Sequence, residues 1–112
     1  HVPTDEEWSA LTDFLGGEIT TGGMIKETGF IHWNNPNTGA TNESGFTALP
    51  GGYRSSTGVF NNIRRFGYWW SFTEAPSSND AFYRKVSYTY TNIDRSSSNK
   101  KSGFSVRCIK DN

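Results

Sequence analysis

Three glycine-anchored aromatic blocks constrain this chain more than any other feature: Leu49-Pro50-Gly51-Gly52-Tyr53-Arg54, Gly67-Tyr68-Trp69-Trp70-Ser71 and Gly103-Phe104-Ser105-Val106-Arg107-Cys108. Runs of Asn, Ser, Thr and Asp separate them, so core-forming and solvent-facing chemistry alternate along the chain in short segments. That segregation suits a rigid small domain displaying polar loops. Aromatic residues make up 15% of the 112 residues. Aliphatic residues are scarce, so the core must lean on Trp, Phe and Tyr, each removing about 150 to 250 Å² from water when buried. A chain of this length forms one domain and buries roughly two thirds of its unfolded surface.

One helix is expected, near the N-terminal end. Thr4 followed by Glu7 fits a capping box, and Asp5, Glu6 and Glu7 fill the first turn, where the helix dipole favours acids. Trp8, Leu11, Phe14 and Leu15 form an apolar stripe and Gly16-Gly17 supplies the stop, which places the helix over residues 5 to 15. From Glu18 onward no stretch keeps helical periodicity, so short strands and loops are expected. Asn34 to Gly39 reads as a turn cluster and Pro50-Gly51-Gly52 as a type II turn, with strands flanking both.

The clearest strand lies between Ala81 and Thr91, where Phe82, Arg84, Val86, Tyr88 and Tyr90 oppose Tyr83, Lys85, Ser87, Thr89 and Thr91. Asn92 to Ser102 is expected as a hairpin connection or short outer strand. Phe104 to Ile109 then returns to the core, with Phe104, Val106 and Cys108 on one buried face. Trp69 and Trp70 are adjacent and must point to opposite faces, giving two small cores on either side of the sheet. The functional alternative is that one ring forms a stacking platform for sugar or peptide. Trp8, Leu11, Phe46, Leu49, Trp69, Phe104 and Val106 are the expected scaffold.

Charge excludes several partners. Lys plus Arg equals Asp plus Glu at 11 each. With no basic stripe, nucleic acid is not expected as a ligand, and the Lys100-Lys101 pair reads as a solvated loop. No apolar run approaches bilayer length, so no membrane insertion is expected. The single Cys108 rules out a disulfide within the chain and a Cys-rich zinc site. The chain begins without Met and reads as a processed product or fragment.

In order along the chain, Val2-Pro3-Thr4-Asp5-Glu6-Glu7-Trp8, Lys26-Glu27-Thr28-Gly29 with His32-Trp33-Asn34, Asn42 through Arg54, Gly67 through Ser71 leading to Thr73-Glu74, and Gly103 through Cys108 resemble the Fibrobacter succinogenes major paralogous domain. That family of exported bacterial modules resembles the broader formylglycine-generating-enzyme-like group, whose fold is a variant of the C-type lectin fold. The resemblance implies an α+β domain over residues 1–112: a small mixed or antiparallel sheet, an N-terminal helix and much ordered loop. It also implies a C-terminal piece of a longer exported protein, in which a cysteine preceding His1 would be the partner of Cys108. In lectin-fold proteins diversified by retroelements, variable residues cluster in the C-terminal part between fixed core blocks, and the Asn, Ser, Tyr and Asp enrichment here is similar.

No nucleophile with its base, metal cage or paired carboxylates stands out, so an enzyme is not expected. The formylglycine-generating activity of the wider group needs a second thiol, and an exposed one, which a lone Cys108 in a core strand does not provide. His32, between Ile31 and Trp33, is expected to satisfy a local hydrogen bond. Asn42, Glu43, Asn79, Asp80, Asn92 and Asp94 are hard oxygen donors in loops, so the expectation is no cofactor, with calcium as the one ion these loops would admit.

Segments Pro76 to Arg84 and Ser87 to Lys101 carry the residue types of adaptable recognition surfaces. The candidate contact residues are Arg54, Asn79, Asp80, Phe82, Arg84, Tyr90, Asn92, Asp94 and Arg95. The expected function is a noncatalytic ligand-binding or adhesion module of a secreted or surface-attached bacterial protein, its partner an extracellular protein or glycan. The alternatives are an assembly module of a fibre, pilus or envelope layer, which self-associates, and an enzyme of formylglycine-generating type.

Overall fold

The computed structural model describes the whole chain, His1–Asn112. Helix α1 spans Asp5–Phe14 and α2 spans Glu18–Ile25, followed by five strands: β1 Tyr53–Arg54, β2 Phe60–Asn61, β3 Phe66–Glu74, β4 Asp80–Ser87 and β5 Ile93–Asn99. The result is a small α+β protein with two antiparallel sheets, a β1-β2 ribbon and a β3-β4-β5 meander with β4 in the middle. No helix is long and apolar enough to cross a membrane.

Helix α1 begins as the capping box dictates. The Glu7 amide donates to Thr4 Oγ1 at 3.1 Å, and the Thr4 amide donates to Glu7 Oε1 at 3.2 Å. Its buried line is Trp8, Thr12 and Leu15, while Phe14, expected in the stripe, is 85% exposed. The reason is phase: at 3.6 residues per turn, position 14 lies about a third of a turn from position 8. Thr12 takes the inner place by donating its hydroxyl to the Trp8 carbonyl at 2.9 Å.

Helix α2 was not expected, because Thr20, Thr21, Gly22 and Gly23 are poor helix formers. Tertiary contact overrides that propensity. The Gly22 and Gly23 backbones press against the carbonyls of Asn92 and Gly39, where a Cβ on either glycine would overlap the facing oxygen. The Gly23 amide bonds the Thr91 carbonyl at 3.0 Å, and the Thr91 hydroxyl bonds the Ile19 carbonyl at 2.9 Å.

Trp8, Leu15, Ile25, Trp33, Ala48, Trp69, Val86 and Ile93 form the sealed core, with Leu11, Met24, Phe46 and Tyr88 packed against it. At its edge sits Lys26, fully buried, whose Nζ donates to the carbonyls of Thr38 and Ser87 at 2.8 Å each and of Tyr90 at 3.0 Å. One ammonium thus ties the 38 loop, the end of β4 and the 90 loop together. Burial draws its pKa down to about 8.

Other expectations need correction. The strand read as 81–91 ends at Ser87, since the 88–91 backbone turns toward α2 and Lys26. Asn92 to Ser102 does supply an outer strand, β5. Pro50-Gly51-Gly52 is not a type II turn: the positive φ of 63° falls on Gly52, whose amide bonds the Phe66 carbonyl at 2.9 Å. Leu49, expected in the scaffold, is exposed.

The terminal block is not a core strand either. Ser105 bridges β3 by bonds with Tyr68 and Trp70, then the chain leaves the sheet, and the Ile109 amide meets the His1 carbonyl at 2.8 Å. Val106 and Cys108 are consequently exposed. Only Phe104 of that expected face is half-buried, and it packs on the side of the sheet away from α1.

Candidate functional site

Strand alternation gives β3-β4-β5 two unlike faces. Trp69 pairs with Arg84, and Arg84 with Arg95, on the side covered by α1. Tyr68 pairs with Lys85 and Trp70 with Tyr83, which continue across to Asp94 and Ser96 on β5. The adjacent indoles therefore diverge: Trp69 enters the sealed core beside Trp8 and Phe46, and Trp70 joins the opposite, outer face.

On that outer face Phe104 lies at the centre of an aromatic cluster. Its ring stands 4.3 Å from Trp70, 4.7 Å from Tyr83, 5.2 Å from Tyr68 in a stacked arrangement, and 6.0 Å from Tyr53. Tyr53, Tyr83, Trp70 and Phe104 are each half-buried, so the cluster is open to one side. The opening is a cleft of about 220 Å³ lined by Tyr53, Tyr68, Tyr83 and Phe104, with Asn62, Lys85 and Ser98 on its rim. Asn62 adopts a positive φ of 64°, which aims its amide at the Tyr68 hydroxyl, 3.0 Å away. Burial pushes the Tyr68 phenol up, against the lowering effect of that hydrogen bond.

The nine residues expected from sequence do not share one surface. Arg84 is 3% exposed and pinned inside: its guanidinium donates to Asp5 Oδ1 at 2.6 Å, the Asp5 carbonyl at 3.1 Å and Ser9 Oγ at 3.2 Å. Arg95 closes on the same carboxylate at 2.7 Å and lies 4.0 Å over the Phe82 ring, so these three form a clamp between α1 and the sheet. Hydrogen bonds from Arg95, then those from Arg84, hold the Asp5 carboxyl below its usual range against the opposing effect of burial.

Asn79 lies at the β3-β4 turn beside Ser78, Asn99, Lys100 and Lys101, in a polar hollow of about 260 Å³. Half-buried Asp80 opens β4 with its amide bonded to the Ser77 carbonyl at 3.0 Å, and Asp94 on the outer face accepts from Asn92 at 2.7 Å. Tyr90 is exposed at the opposite end of the meander, and Arg54 sits on β1 beside Gly58 and Gly103.

The loop oxygens considered for calcium fall in separate places. Asn42 bonds Thr47, while Asn92 and Asp94 bond each other. His32 makes the local hydrogen bond expected of it, to Glu27 at 2.8 Å. Sequence reasoning missed Tyr53, Asn62, Tyr68, Tyr83, Lys85, Ser98 and Phe104 as one group. The available signal was the alternation itself, because Tyr83 and Lys85 fall on the opposite phase from Phe82 and Arg84.

Two further hollows are apolar. One, of about 270 Å³, runs between α1 and the terminal segment past Trp8, Leu11, Phe46 and Cys108, so the thiol has the exposure that sequence denied it, without a second thiol. The other, of about 300 Å³, lies among His32, Leu49, Pro50 and Ile63. Arg64, at φ 70°, shapes it by donating to the Phe30 and Ile31 carbonyls at 3.0 and 2.8 Å and to Asn34 Oδ1 at 2.9 Å.

A family profile described as the Fibrobacter succinogenes major domain matches residues 1–110. No curated protein and no solved structure matches the chain.

Proposed function

The chain belongs to the Fibrobacter succinogenes major domain family, and on that premise we propose that it is a noncatalytic ligand-binding or adhesion module that grips its ligand with the outer face of the β3-β4-β5 sheet. The α+β framework serves in this reading as a C-type-lectin-like scaffold of a secreted or surface-attached protein. The observation that carries it is the cleft of about 220 Å³ walled by Tyr53, Tyr68, Tyr83 and Phe104, with Trp70 packed against Phe104. Concave sites that join aromatic walls to a few convergent polar groups are the usual form of small-ligand sites. Rigid phenols with Ser and Asn are also the residues that recognition surfaces favour. At this volume the cleft accommodates one ring or side chain of a larger partner, which suits a protein or glycan that lies across the face.

The test is a glycan and protein array screen of the intact chain, with and without calcium, repeated with Tyr83→Ser. Hits that vanish in Tyr83→Ser while folding is retained support the outer face. Hits that survive it but vanish in Asn79→Ala move the site to the polar hairpin end.

A second reading, assembly, has its own observation. Ile31 and Ile63 are 81% and 72% exposed beside the loop that Arg64 clamps, and Leu49 lies exposed in the same hollow as Ile63. Contiguous exposed apolar patches mark interaction surfaces. Sedimentation equilibrium decides it: concentration-dependent mass that disappears in Ile63→Asp favours self-association, and a monomer at all concentrations removes it.

A further inference from the structure

The distribution of donors and acceptors in the outer cleft narrows the ligand class, an inference that rests on the outer face being the binding surface. Polar groups reach the cleft from Tyr53, Asn62, Tyr68, Tyr83, Lys85 and Ser98, and no carboxylate lines it. Asn62 donates to the Tyr68 oxygen at 3.0 Å, so the hydrogen of that phenol stays free, and this is the one hydrogen bond within the chain made by the three phenols.

Lys85 is also without a hydrogen bond. The closest carboxylate oxygen, Asp94 Oδ2, stands 3.9 Å from Nζ, beyond hydrogen-bond length, and Asp94 Oδ1 accepts instead from Asn92 at 2.7 Å. The Lys85 side chain is only 30% exposed and its ammonium rests 5.2 Å over the Phe66 ring, so its charge is partly withdrawn from water.

The hydroxyls and the amide of the cleft can each donate and accept, and Ser98 Oγ already meets Ser102 Oγ at 3.4 Å, so the one group with donors alone is the Lys85 ammonium, the single charge in the lining. A ligand that satisfies this set brings oxygen acceptors and negative charge. The rings require something more: a flat apolar face the size of one ring. A neutral sugar offers the face and leaves the ammonium with no hydrogen-bonded anion, Asp94 standing 3.9 Å off. An acidic peptide side chain offers the charge without a rigid C–H face.

We propose that the outer cleft binds an anionic sugar unit of a glycan, a hexuronate or a sugar sulfate, with the pyranose face on the aromatic wall and the anion on Lys85. The hydroxyls of Tyr53, Tyr68 and Tyr83 donate to the ring substituents. Binding is accordingly salt-sensitive, since the ion contact lies at a partly open rim.

The experiment titrates the intact chain, by calorimetry and by NMR of the aromatic and Lys85 side-chain signals, with four probes. These are a hexuronate trisaccharide, its methyl ester, a sulfated trisaccharide and triglutamate. The expected result is that at least one anionic trisaccharide binds about ten-fold or more tighter than the methyl ester, with shifts at Tyr53, Tyr83, Phe104 and Lys85. Which of the two binds identifies the anion as carboxylate or sulfate. Lys85→Met, checked for folding by circular dichroism and paired with Lys85→Arg as the charge-retaining control, removes that preference without weakening the ester.

Equal binding of the ester overturns the anionic assignment, and equal binding of triglutamate overturns the sugar assignment. Both results leave the outer face as a ligand site, so they are distinct from failure of the broader reading. No response from either anionic trisaccharide overturns the inference as well, and the array hits of Tyr83→Ser then judge the outer face independently.

Discussion

The two faces of the three-stranded sheet both carry aromatic clusters and are finished differently. The inner face takes Trp69 against Trp8 and Phe46, adds Val86 and Ile93, and is closed by two helices. The outer face takes Tyr68, Trp70 and Tyr83, is crossed only by Phe104 and Tyr53, and keeps a cleft. Phenols suit the second position because one end of the ring is apolar and the other wants a polar partner, whereas on the sealed side the Trp33 indole finds its partner in the Ala48 carbonyl at 3.0 Å. The lesson is that aromatic density does not by itself distinguish a core from a binding surface; the covering elements do.

Cations divide in the same way. Inside, Lys26 has three carbonyls and Arg84 has Asp5 and Ser9, so each charge is matched by hydrogen bonds. Outside, Lys85 has none. A buried charge matched by hydrogen bonds fixes the geometry of neighbouring loops, whereas Lys85, with Asp94 at 3.9 Å, keeps its donors unbonded at the cleft.

Paired substitutions across the sheet break or sharpen this contrast. The largest difference is expected between neighbours: Trp69→Ala should destabilise by about 3 to 5 kcal/mol, the range for deleting a fully packed indole, and Trp70→Ala by about half as much, because its site is already half open. Urea unfolding of both variants reads the gap directly, and equal losses would mean the outer cluster is a second core.

Next comes the lysine pair. Lys26→Met leaves three carbonyls unsatisfied and should destabilise by about 3 kcal/mol, while Lys85→Met on the open rim should stay within about 0.5 kcal/mol. Lys26 also carries a pH signature. With its pKa lowered to about 8 from 10.5, the unfolded chain holds more of this proton between those values. Its contribution to stability therefore rises as pH climbs from about 8 to 10.5 and is level below that window. Unfolding free energies of wild type minus Lys26→Met, measured from pH 7 to 10, should show that slope.

The Asp5 clamp predicts a smaller change of opposite placement. Its folded pKa is lowered below 3.8, so the stabilisation is complete above that unfolded value and lost as pH falls through the folded one. Asp5→Asn should be weaker than wild type at pH 7 and lose less of its remaining stability on acidification, by chemical unfolding at pH 7, 4 and 3. The smallest structural effect among the ring substitutions belongs to Tyr83→Ser, whose half-open ring costs about 1 kcal/mol of stability while array binding is lost. If binding persists, the outer face is structural.

Local chemistry made a good part of this fold legible. Thr4 and Glu7 announced α1 because a capping box is complete within four residues, and the divergence of Trp69 and Trp70 followed from strand geometry alone. Helix α2 was illegible because Gly22 and Gly23, read as breakers, are required by the backbones of Asn92 and Gly39, about 70 and 16 residues away in sequence. The binding-type residues were misgrouped for a related reason. Asn, Asp and Arg look like contacts in one dimension, yet Arg84 is consumed by Asp5, 79 residues away, and Phe104 reaches Trp70 from the terminal segment.

By itself the sequence determined an aromatic-cored α+β domain, the start of its first helix and the opposed phases of its strands, since each depends on spacing within a few residues. Only the tertiary structure decided which phase α1 and α2 would seal, which cations would be satisfied, and that five rings from four separate segments would cluster beside an open cleft. Those outcomes depend on which distant backbone arrives to cover a surface, and that information is carried by packing between segments rather than by the residues of any one of them.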